Sequence, residues 1–351
     1  MNHNVTLKDI AQACNVSVTA VSLVLNGRPT RMSQANRELI FKTAERLHYV
    51  PNQAARSLAT NQSMLLALLI PDIENMFFAS LSKALEDVVS ADGYSLLIAN
   101  SDDSRLSEQR LLRQFASHGV DGLFLIPSRE SADDSAALKK DVANLDFPVV
   151  LTDRLVDEQW CDAVGSDDFT GGTIAAQILL AQGHRRIACI SGDNADGKTS
   201  RRMAGFVSAL DEAGIQLDPS LKRNGNYRFD GGYKEAGHII DAGATAVFCG
   251  NDLMAMGFIK RLEELGLRCP EDCSVVGYDN MSGKFGFNHQ LTTFDQNIHA
   301  VAEACHGLIT SRIAARHDDN GERHKSKPWL TDPKQKLIEP KLVRRTTVSH
   351  A

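Results

Sequence analysis

The sequence lacks the features of membrane proteins and of disulfide-stabilised secreted proteins. It contains no run of about eighteen apolar residues, so no membrane-spanning helix is expected. The N-terminus has no charged segment followed by an apolar one, so no signal peptide is predicted. The seven cysteines are odd in number and scattered, which favours reduced thiols over a disulfide framework. These absences predict a protein of the cytoplasm with no membrane partner.

Motifs that would indicate catalysis or metal binding are also missing. We find no GxSxG elbow, HExxH pair or nucleotide-binding GxGxxG. Cys269 and Cys273 lie close together, but their neighbourhood CPEDC offers no second ligand pair for zinc. His184, His238 and His289 show no metal-ligand spacing. The sequence therefore predicts no catalytic residue, no metal site and no cofactor.

Charge is distributed unevenly along the chain. The whole chain has a net charge of −6, but residues 1–62 carry seven basic and three acidic side chains, a net +4, which leaves −10 for the remainder. A small basic head on an acidic body is suited to binding phosphates with one end only. At 351 residues the chain exceeds the usual size of a single domain.

Residues 5–26 have the pattern of two short helices joined by a tight turn. Thr6 can cap the first helix, and Asp9 favours the positive end of its dipole. The turn falls at residues 15–17, and the second helix is predicted from Val18 to about Leu25. Four residues of this helix are predicted to point outward, where small and apolar side chains suit base edges in a major groove: Val18, Thr19, Ser22 and Leu23. An ordinary helical hairpin is the alternative.

The next residues carry a family resemblance. A third helix is predicted over residues 33–47, with Leu39, Ile40, Ala44 and Leu47 on its buried face. The motif LKDIAQACNVSVTAVSLVLNG, followed by YVPNQAARSL, resembles the LacI/GalR family of bacterial transcription regulators, which includes the lactose and purine repressors. The resemblance covers nearly the whole chain.

The resemblance implies how the head would bind DNA. In this family, hinge segments of two chains meet over the centre of a palindromic operator, and a leucine is inserted into the minor groove. Leu58 is the matching leucine here, with Arg56 beside it. Leu23 departs from the family, whose members often carry a polar or basic residue there. The expected DNA contacts are Ser17, Val18, Thr19, Ser22, Leu23, Asn26, Asn52, Ala55, Arg56 and Leu58.

The remainder alternates short apolar runs with amphipathic helices. The runs are LLALLI, SLLIA, GLFLI, VVLT, RIACIS, AVFCG and SVVGY. Such alternation predicts an α/β body of parallel sheets covered on both faces. The resemblance implies a two-lobed body, like a periplasmic binding protein, behind the all-α helix-turn-helix head.

The resemblance also implies the domain boundaries. The head with its hinge helix covers residues 1–62, and residues 63–351 form the effector-binding and dimerisation domain. Crossovers near Val164, Thr293 and Lys327 would divide the body, with lobe one at about 63–163 and 294–327 and lobe two at about 164–293 and 328–351.

Ligands in such sheets bind beyond the carboxyl ends of the strands, where this sequence places carboxylates, guanidinium groups, amides and aromatic rings. These groups together are suited to sugar recognition. The effector contacts implied by the resemblance are Phe77, Phe78, Arg154, Arg202, Tyr227, Asn251 and Asp279. Asp153, Asp167, Asp168 and Asp252 are further candidates.

The resulting hypothesis is a homodimeric repressor of carbohydrate-use genes, controlled by a small sugar-class effector. A purine corepressor is the alternative within the family, disfavoured because Asp196 stands where the purine repressor has an arginine. A doubly wound enzyme and a stand-alone solute-binding protein are the less favoured alternatives. The charged segment 316–335 is expected to be a solvated loop, and the tail shows no leucine heptad for a tetramer.

Overall fold

The computed structural model describes residues 5–25, 29–49, 62–192, 200–284, 290–316, 327 and 330–351. The chain forms two compact units, Met1–Ser63 and Met64–Ala351, here termed the head and the body. In the described part of the chain, no helix combines the length and hydrophobicity needed to cross a membrane.

The described head residues form three helices, α1 (Leu7–Cys14), α2 (Val18–Leu25) and α3 (Gln34–Arg46). The predicted start of α1 is confirmed: the backbone amide and the hydroxyl of Thr6 donate to the Asp9 carboxylate at 2.8 and 2.7 Å. These bonds occupy donors that would otherwise be unpaired at the helix end. The two-helix pattern with its tight turn is therefore present as predicted.

The head has a small core in which Ile10, Val21 and Ile40 are fully buried. One predicted core residue is wrong, because Leu39 is 47% exposed. The buried face of α3 follows positions 40, 43 and 44 at helical spacing. Leu39 lies about 100° around the helix from Ile40, outside that stripe.

The first lobe of the body is built on a six-stranded parallel sheet. Its spatial order is β11–β5–β4–β3–β1–β2. The strands are β1 (Leu65–Ile70), β2 (Ser95–Asn100), β3 (Gly122–Leu125), β4 (Val149–Thr152), β5 (Asp162–Ser166) and β11 (Gln335–Ile338). The helices are α4 (Met76–Ala91), α5 (Arg105–His118), α6 (Arg129–Asp133), α7 (Ser135–Ala143) and α13 (Ile298–Ala314). Helices α4 and α13 cover one face of the sheet, and α5 and α7 cover the other.

The second lobe has a four-stranded parallel sheet of order β7–β6–β8–β9 and an antiparallel pair, β10 with β12. Its strands are β6 (Ile187–Ser191), β7 (Lys222–Asn224), β8 (Ala246–Cys249), β9 (Ser274–Val276), β10 (Thr293–Asp295) and β12 (Lys341–Val343). Its helices are α8 (Asp168–Ala181), α9 (Arg201–Glu212), α10 (Phe229–Asp241), α11 (Asp252–Glu264) and α12 (Met281–Lys284). Helices α8 and α9 pack on one sheet face and α10 and α11 on the other. The predicted two-lobed α/β body is confirmed.

The chain passes between the lobes three times, and the third crossing differs from the expectation. The first crossing lies between β5 and α8, and the second between β10 and α13. The third was expected near Lys327, but Gln335–Ile338 pairs in parallel with Asp162–Ser166 in the first-lobe sheet. Residues 330–338 therefore belong to lobe one, and the chain crosses only after Ile338.

A buried ion pair explains why the third crossing lies later in the chain than expected. The Arg312 guanidinium on α13 donates to both carboxylate oxygens of Asp162, at 2.6 and 2.8 Å, and to the Thr331 carbonyl at 3.0 Å. The Lys334 amide donates to the same carboxylate at 2.8 Å. These bonds hold the segment that enters β11 against the first lobe.

Candidate functional site

A cavity of about 440 Å³ lies between the two lobes, beyond the carboxyl ends of their strands. Its volume is in the range of small-molecule sites, roughly 300–1,000 Å³. All seven residues expected to contact an effector line it: Phe77, Phe78, Arg154, Arg202, Tyr227, Asn251 and Asp279. The structure thus brings the seven together, and their role in binding remains a prediction.

Arg202, in the first turn of α9, contacts three neighbouring groups. Its Nη2 donates to Asp168 Oδ1 at 2.9 Å, its Nη1 donates to the Gly250 carbonyl, and its guanidinium lies 3.5 Å from the centre of the Tyr278 ring. Burial is the largest single influence and opposes the charged form, but electrostatic interactions with several neighbours, Asp168 foremost, together outweigh it, so the pKa of Arg202 is raised above its usual value. The arginine is a fixed positive charge in the cavity wall.

Two glycines allow α8 and α9 to approach closely enough to position this arginine. A Cβ at Gly172 would lie 1.8 Å from the Arg202 carbonyl oxygen, and one at Gly205 would lie 1.9 Å from the Phe169 carbonyl oxygen. Both obstacles are backbone atoms, which cannot move aside as a flexible side chain can. The backbone of Arg202 is therefore placed by helix packing.

Asp279 follows β9 and lies opposite the Arg202 side chain. Its backbone has a φ of 104°, its amide donates to the Phe294 carbonyl at 2.9 Å, and its Oδ1 accepts from Gln296 Nε2 at 2.7 Å. Burial raises the pKa of Asp279 well above its usual value, and the nearby carboxylates of Asp252 and Asp153 add to the effect against the opposing charge of Arg202. The carboxyl group is held in place with one oxygen bound to Gln296.

Asn251 and Tyr227 form the next part of the wall. Asn251 caps α11 by accepting from the Met254 amide at 3.0 Å, and its Nδ2 donates to the Tyr227 carbonyl at 3.0 Å. Tyr227 has a left-handed backbone, with a φ of 57°. A Cβ at Gly192 would lie 1.9 Å from the Tyr227 ring, so the ring packs directly on a glycine backbone.

Two arginines on the first-lobe side share one carboxylate. Arg154 Nη1 donates to Asp103 Oδ1 and to the Pro127 carbonyl, the latter at 3.0 Å. Arg129 Nε donates to Asp103 Oδ2 at 2.6 Å. Although burial alone would raise the pKa of Asp103, the charges and hydrogen bonds of Arg154 and Arg129 lower it overall. Both lobes thus present charged groups to the cavity: Arg129, Arg154 and Asp153 from the first lobe, and Arg202, Asp168 and Asp279 from the second.

Phe77 and Phe78 contribute the apolar part of the wall. Their rings pack edge to face with centroids 5.5 Å apart, and both side chains are largely buried in the first-lobe core. Asn75 caps α4 by accepting from the Phe77 amide at 3.0 Å.

The helix predicted to read DNA, α2, exposes part of the expected face. Val18 is 43% exposed, Thr19 is also exposed, and Ser22 and Leu23 are half-buried. Ser17 caps α2 by accepting from the Ala20 amide at 3.2 Å. Five of the expected DNA contacts lie outside the described residues: Asn26, Asn52, Ala55, Arg56 and Leu58.

Comparison with known proteins identifies the family. Residues 6–52 match the model for bacterial regulatory proteins of the lacI family, and residues 63–323 match the model for periplasmic binding proteins and the sugar binding domain of the LacI family. The chain belongs to the LacI family. As a family member it is a helix-turn-helix transcription repressor and not an enzyme.

Three proteins illustrate the similarity of this LacI-family chain to known members. It is 33% identical over 347 residues to the HTH-type transcriptional repressor PurR of Yersinia pestis (strain Pestoides F), an alignment that covers 98% of this chain and 97% of that repressor. It is 26% identical to the transcriptional regulator CelR in complex with cellobiose, with a TM-score of 0.70 and coverage of 98% and 100%. The Lac repressor dimer bound to operator and the anti-inducer ONPF shares the fold, with a TM-score of 0.83, 23% identity and coverage of 99% and 100%.

Of the four further candidate carboxylates, two line the cavity and two do not. Asp153 and Asp168 line the cavity of this LacI-family protein. Burial, together with the negative charge of Asp168, raises the pKa of Asp153 to about 6. Asp167 instead caps α8, accepting from the Thr170 amide at 3.2 Å, and Asp252 accepts from the Met281 amide and the Thr293 hydroxyl, both at 2.6 Å. Asp167 and Asp252 are absent from the described lining and serve the fold.

Arg129 and Asp103 were not among the site residues predicted from the sequence. Arg129 follows β3, so it would have been found by examining the residues beyond the carboxyl end of the run GLFLI, where ligands of such sheets bind. Asp103 is three residues beyond the end of β2 and has a φ of 54°. No local sequence pattern marks Asp103, because Arg129 and Arg154 bind its carboxylate only in the folded chain.

The close packing of α8 and α9 can be tested with a matched pair of substitutions. We expect Gly172→Ala to lower the free energy of unfolding of this LacI-family protein by about 2–3 kcal/mol, because the added methyl meets backbone. Gly237→Ala is the control: a methyl group added at this helical glycine would meet no neighbouring atom of the described residues within 4 Å, so alanine should stabilise by about 0.5–1 kcal/mol. Urea unfolding measures both. Equal stability of the two variants would contradict the packing.

Proposed function

We propose that this protein is a homodimeric, operator-binding repressor of carbohydrate-use genes, controlled by a sugar-class effector that binds between the lobes of the body. The observation that carries the proposal is the cavity, which is lined by Arg129, Arg154 and Asp153 of lobe one and by Arg202, Asp168, Asp279 and Asn251 of lobe two. Because its target is DNA, we place the protein in the cytoplasm.

The chemistry of the wall supports a sugar. Vicinal hydroxyls can donate and accept together, which suits neighbouring charged groups such as Arg202 with Asp279. The Tyr227 ring offers an apolar face beside them. CelR, 26% identical to this chain, is known in complex with cellobiose.

A purine effector is the second candidate. The observation that favours it is the 33% identity to PurR over 347 residues. Asp196, the position used in the sequence analysis to distinguish the two effector classes, lies outside the described residues. A nucleobase therefore belongs beside the sugars in the ligand panel that identifies the effector.

We propose that the head contacts DNA through α2 and through the hinge segment. Val18 and Thr19 lie on the exposed side of α2, where they would reach base edges in the major groove. The hinge contact proposed for Leu58 rests on the sequence resemblance. Two chains related by a twofold axis would match the two halves of a palindromic operator.

The proposed role of Leu58 can be tested against another leucine of the head. We expect Leu58→Ala to weaken binding to the specific operator by at least tenfold, since loss of about 1.4 kcal/mol of groove contact has that effect. Binding to nonspecific DNA should change little, because it depends on phosphate contacts. Leu39→Ala, at an exposed leucine of α3, is the control and should leave both unchanged. Fluorescence anisotropy at fixed salt measures each affinity, and equal losses on the two DNAs would contradict the insertion.

Effector control would operate by linkage. If effector and operator favour different arrangements of the lobes, each changes the affinity of the other by the same factor, with a coupling of the order of 1–3 kcal/mol. The direction depends on which arrangement the effector favours. Inducers and corepressors are both compatible with one cavity.

Two substitutions in the cavity test the effector site. Arg202→Met and Asp279→Asn should abolish the response of operator binding to whichever of cellobiose, ribose, glucose 6-phosphate and hypoxanthine acts on the wild-type protein. Operator binding without ligand should be retained, because neither residue lies in the head. Arg186→Met is the control, since Arg186 pairs with Asp218 on the surface of the same lobe. An unchanged dose response in both cavity variants would remove these residues from the site.

A further inference from the structure

Arg129 joins the two lobes across the cavity. Its Nε donates to Asp103 Oδ2 in lobe one at 2.6 Å, and its Nη1 donates to the Gly192 carbonyl in lobe two at 2.8 Å. Gly192 directly follows β6, so the second bond ends on the core sheet of the other lobe. One side chain therefore connects the strand ends of both sheets.

The loop that carries Arg129 is held firmly from behind. Glu108 is fully buried on α5, and its carboxylate accepts from the Ser128 amide and from the Ser131 hydroxyl, both at 2.6 Å. The Arg129 amide donates to Asp103 Oδ1 at 3.1 Å. The arginine is thus positioned by lobe one alone, independently of its bond to Gly192.

The guanidinium of Arg129 also faces the ligand space. Arg129 lines the cavity, and its guanidinium carbon lies 5.9 Å from the centre of the Tyr227 ring. Among the described residues, no hydrogen-bond acceptor for its Nη2 is found, whereas Nε and Nη1 are both paired. Its side chain is 28% exposed, so a ligand can reach the remaining donors.

We infer that Arg129 is a specificity-determining effector contact, which donates to an oxygen of a polyhydroxyl ligand lying against Tyr227. This inference rests on the proposed effector site and extends it to a residue on the lobe-one loop after β3. A ligand held by Arg129 and by Arg202 or Asp279 is bound by both lobes, so its binding energy favours the joined arrangement. A ligand that places no oxygen near Arg129 would bind less tightly to the joined arrangement of the lobes.

A second arginine provides the control for lobe joining without ligand contact. Arg228, in lobe two, pairs with Asp72 at 2.8 Å and with Glu74 at 3.4 Å in lobe one. It is 53% exposed and is absent from the described lining of the cavity. Arg228→Met removes contacts between the lobes while leaving the proposed ligand contact intact.

The test compares Arg129→Met, Arg228→Met and wild type as full-length chains. Methionine has a similar length and no donor, so it fills the space without the hydrogen bonds. Without ligand, hydrogen–deuterium exchange of the segments around Gly192 and Tyr227 should be faster in Arg129→Met than in wild type. Calorimetry with the sugar that binds wild type, chosen from cellobiose, ribose and glucose 6-phosphate, should give affinity about tenfold to a hundredfold weaker for Arg129→Met. For Arg228→Met the loss should be less than about threefold.

The outcomes distinguish the proposed Arg129 contact from the proposed sugar-class effector. If a sugar binds wild type and Arg129→Met equally well, the ligand contact is overturned and the effector site stands. If both arginine variants lose affinity equally, Arg129 acts only through lobe joining, which also overturns the contact. If no sugar binds wild type, the sugar-class effector fails. Exchange rates unchanged in Arg129→Met would then overturn the cross-cavity link, and faster exchange would support it.

Discussion

The cavity of the body depends on one buried cation, the guanidinium of Arg202. It lies between the Asp168 carboxylate, the Gly250 carbonyl and the face of the Tyr278 ring, which together join α8, β8 and β9. A buried charge is tolerated only with such partners, because removing it from water without them is costly. The close approach of α8 and α9 at Gly172 places it. The cavity is therefore built around a charge that the fold itself must satisfy.

The same charge gives the cavity its chemistry. The wall carries charged groups that are already paired, Arg202 with Asp168 on one side and Arg129 and Arg154 with Asp103 on the other. A ligand must exchange hydrogen bonds with these pairs, which selects for molecules with several donors and acceptors at fixed spacing. Since the groups belong to both lobes, occupancy and lobe arrangement are linked. In a LacI-family repressor, that linkage provides a route from effector to operator.

Strands with apolar sequences could be predicted from the sequence, whereas short polar edge strands and a contact between the lobes could not. Most of the apolar runs correspond to central parallel strands, which are buried on both faces, whereas SLLIA forms the partly exposed edge strand β2. Gln335–Ile338 and Lys222–Asn224 were missed because they are short, polar edge strands. Because Gln335–Ile338 was missed, the third crossing was predicted too early in the chain. The family resemblance implied seven residues that line the cavity, but the bond from Arg129 to Gly192 depends on how the two lobes meet, which no local pattern encodes.

If effector and operator are coupled through the body, a closed thermodynamic cycle will show it. Operator affinity would be measured by anisotropy with and without saturating effector, and effector affinity by calorimetry with and without operator. Coupling through the body predicts the same factor in both directions, between about 5-fold and 150-fold. Effector binding that leaves operator affinity unchanged would contradict it, because the cavity would then be uncoupled from DNA binding.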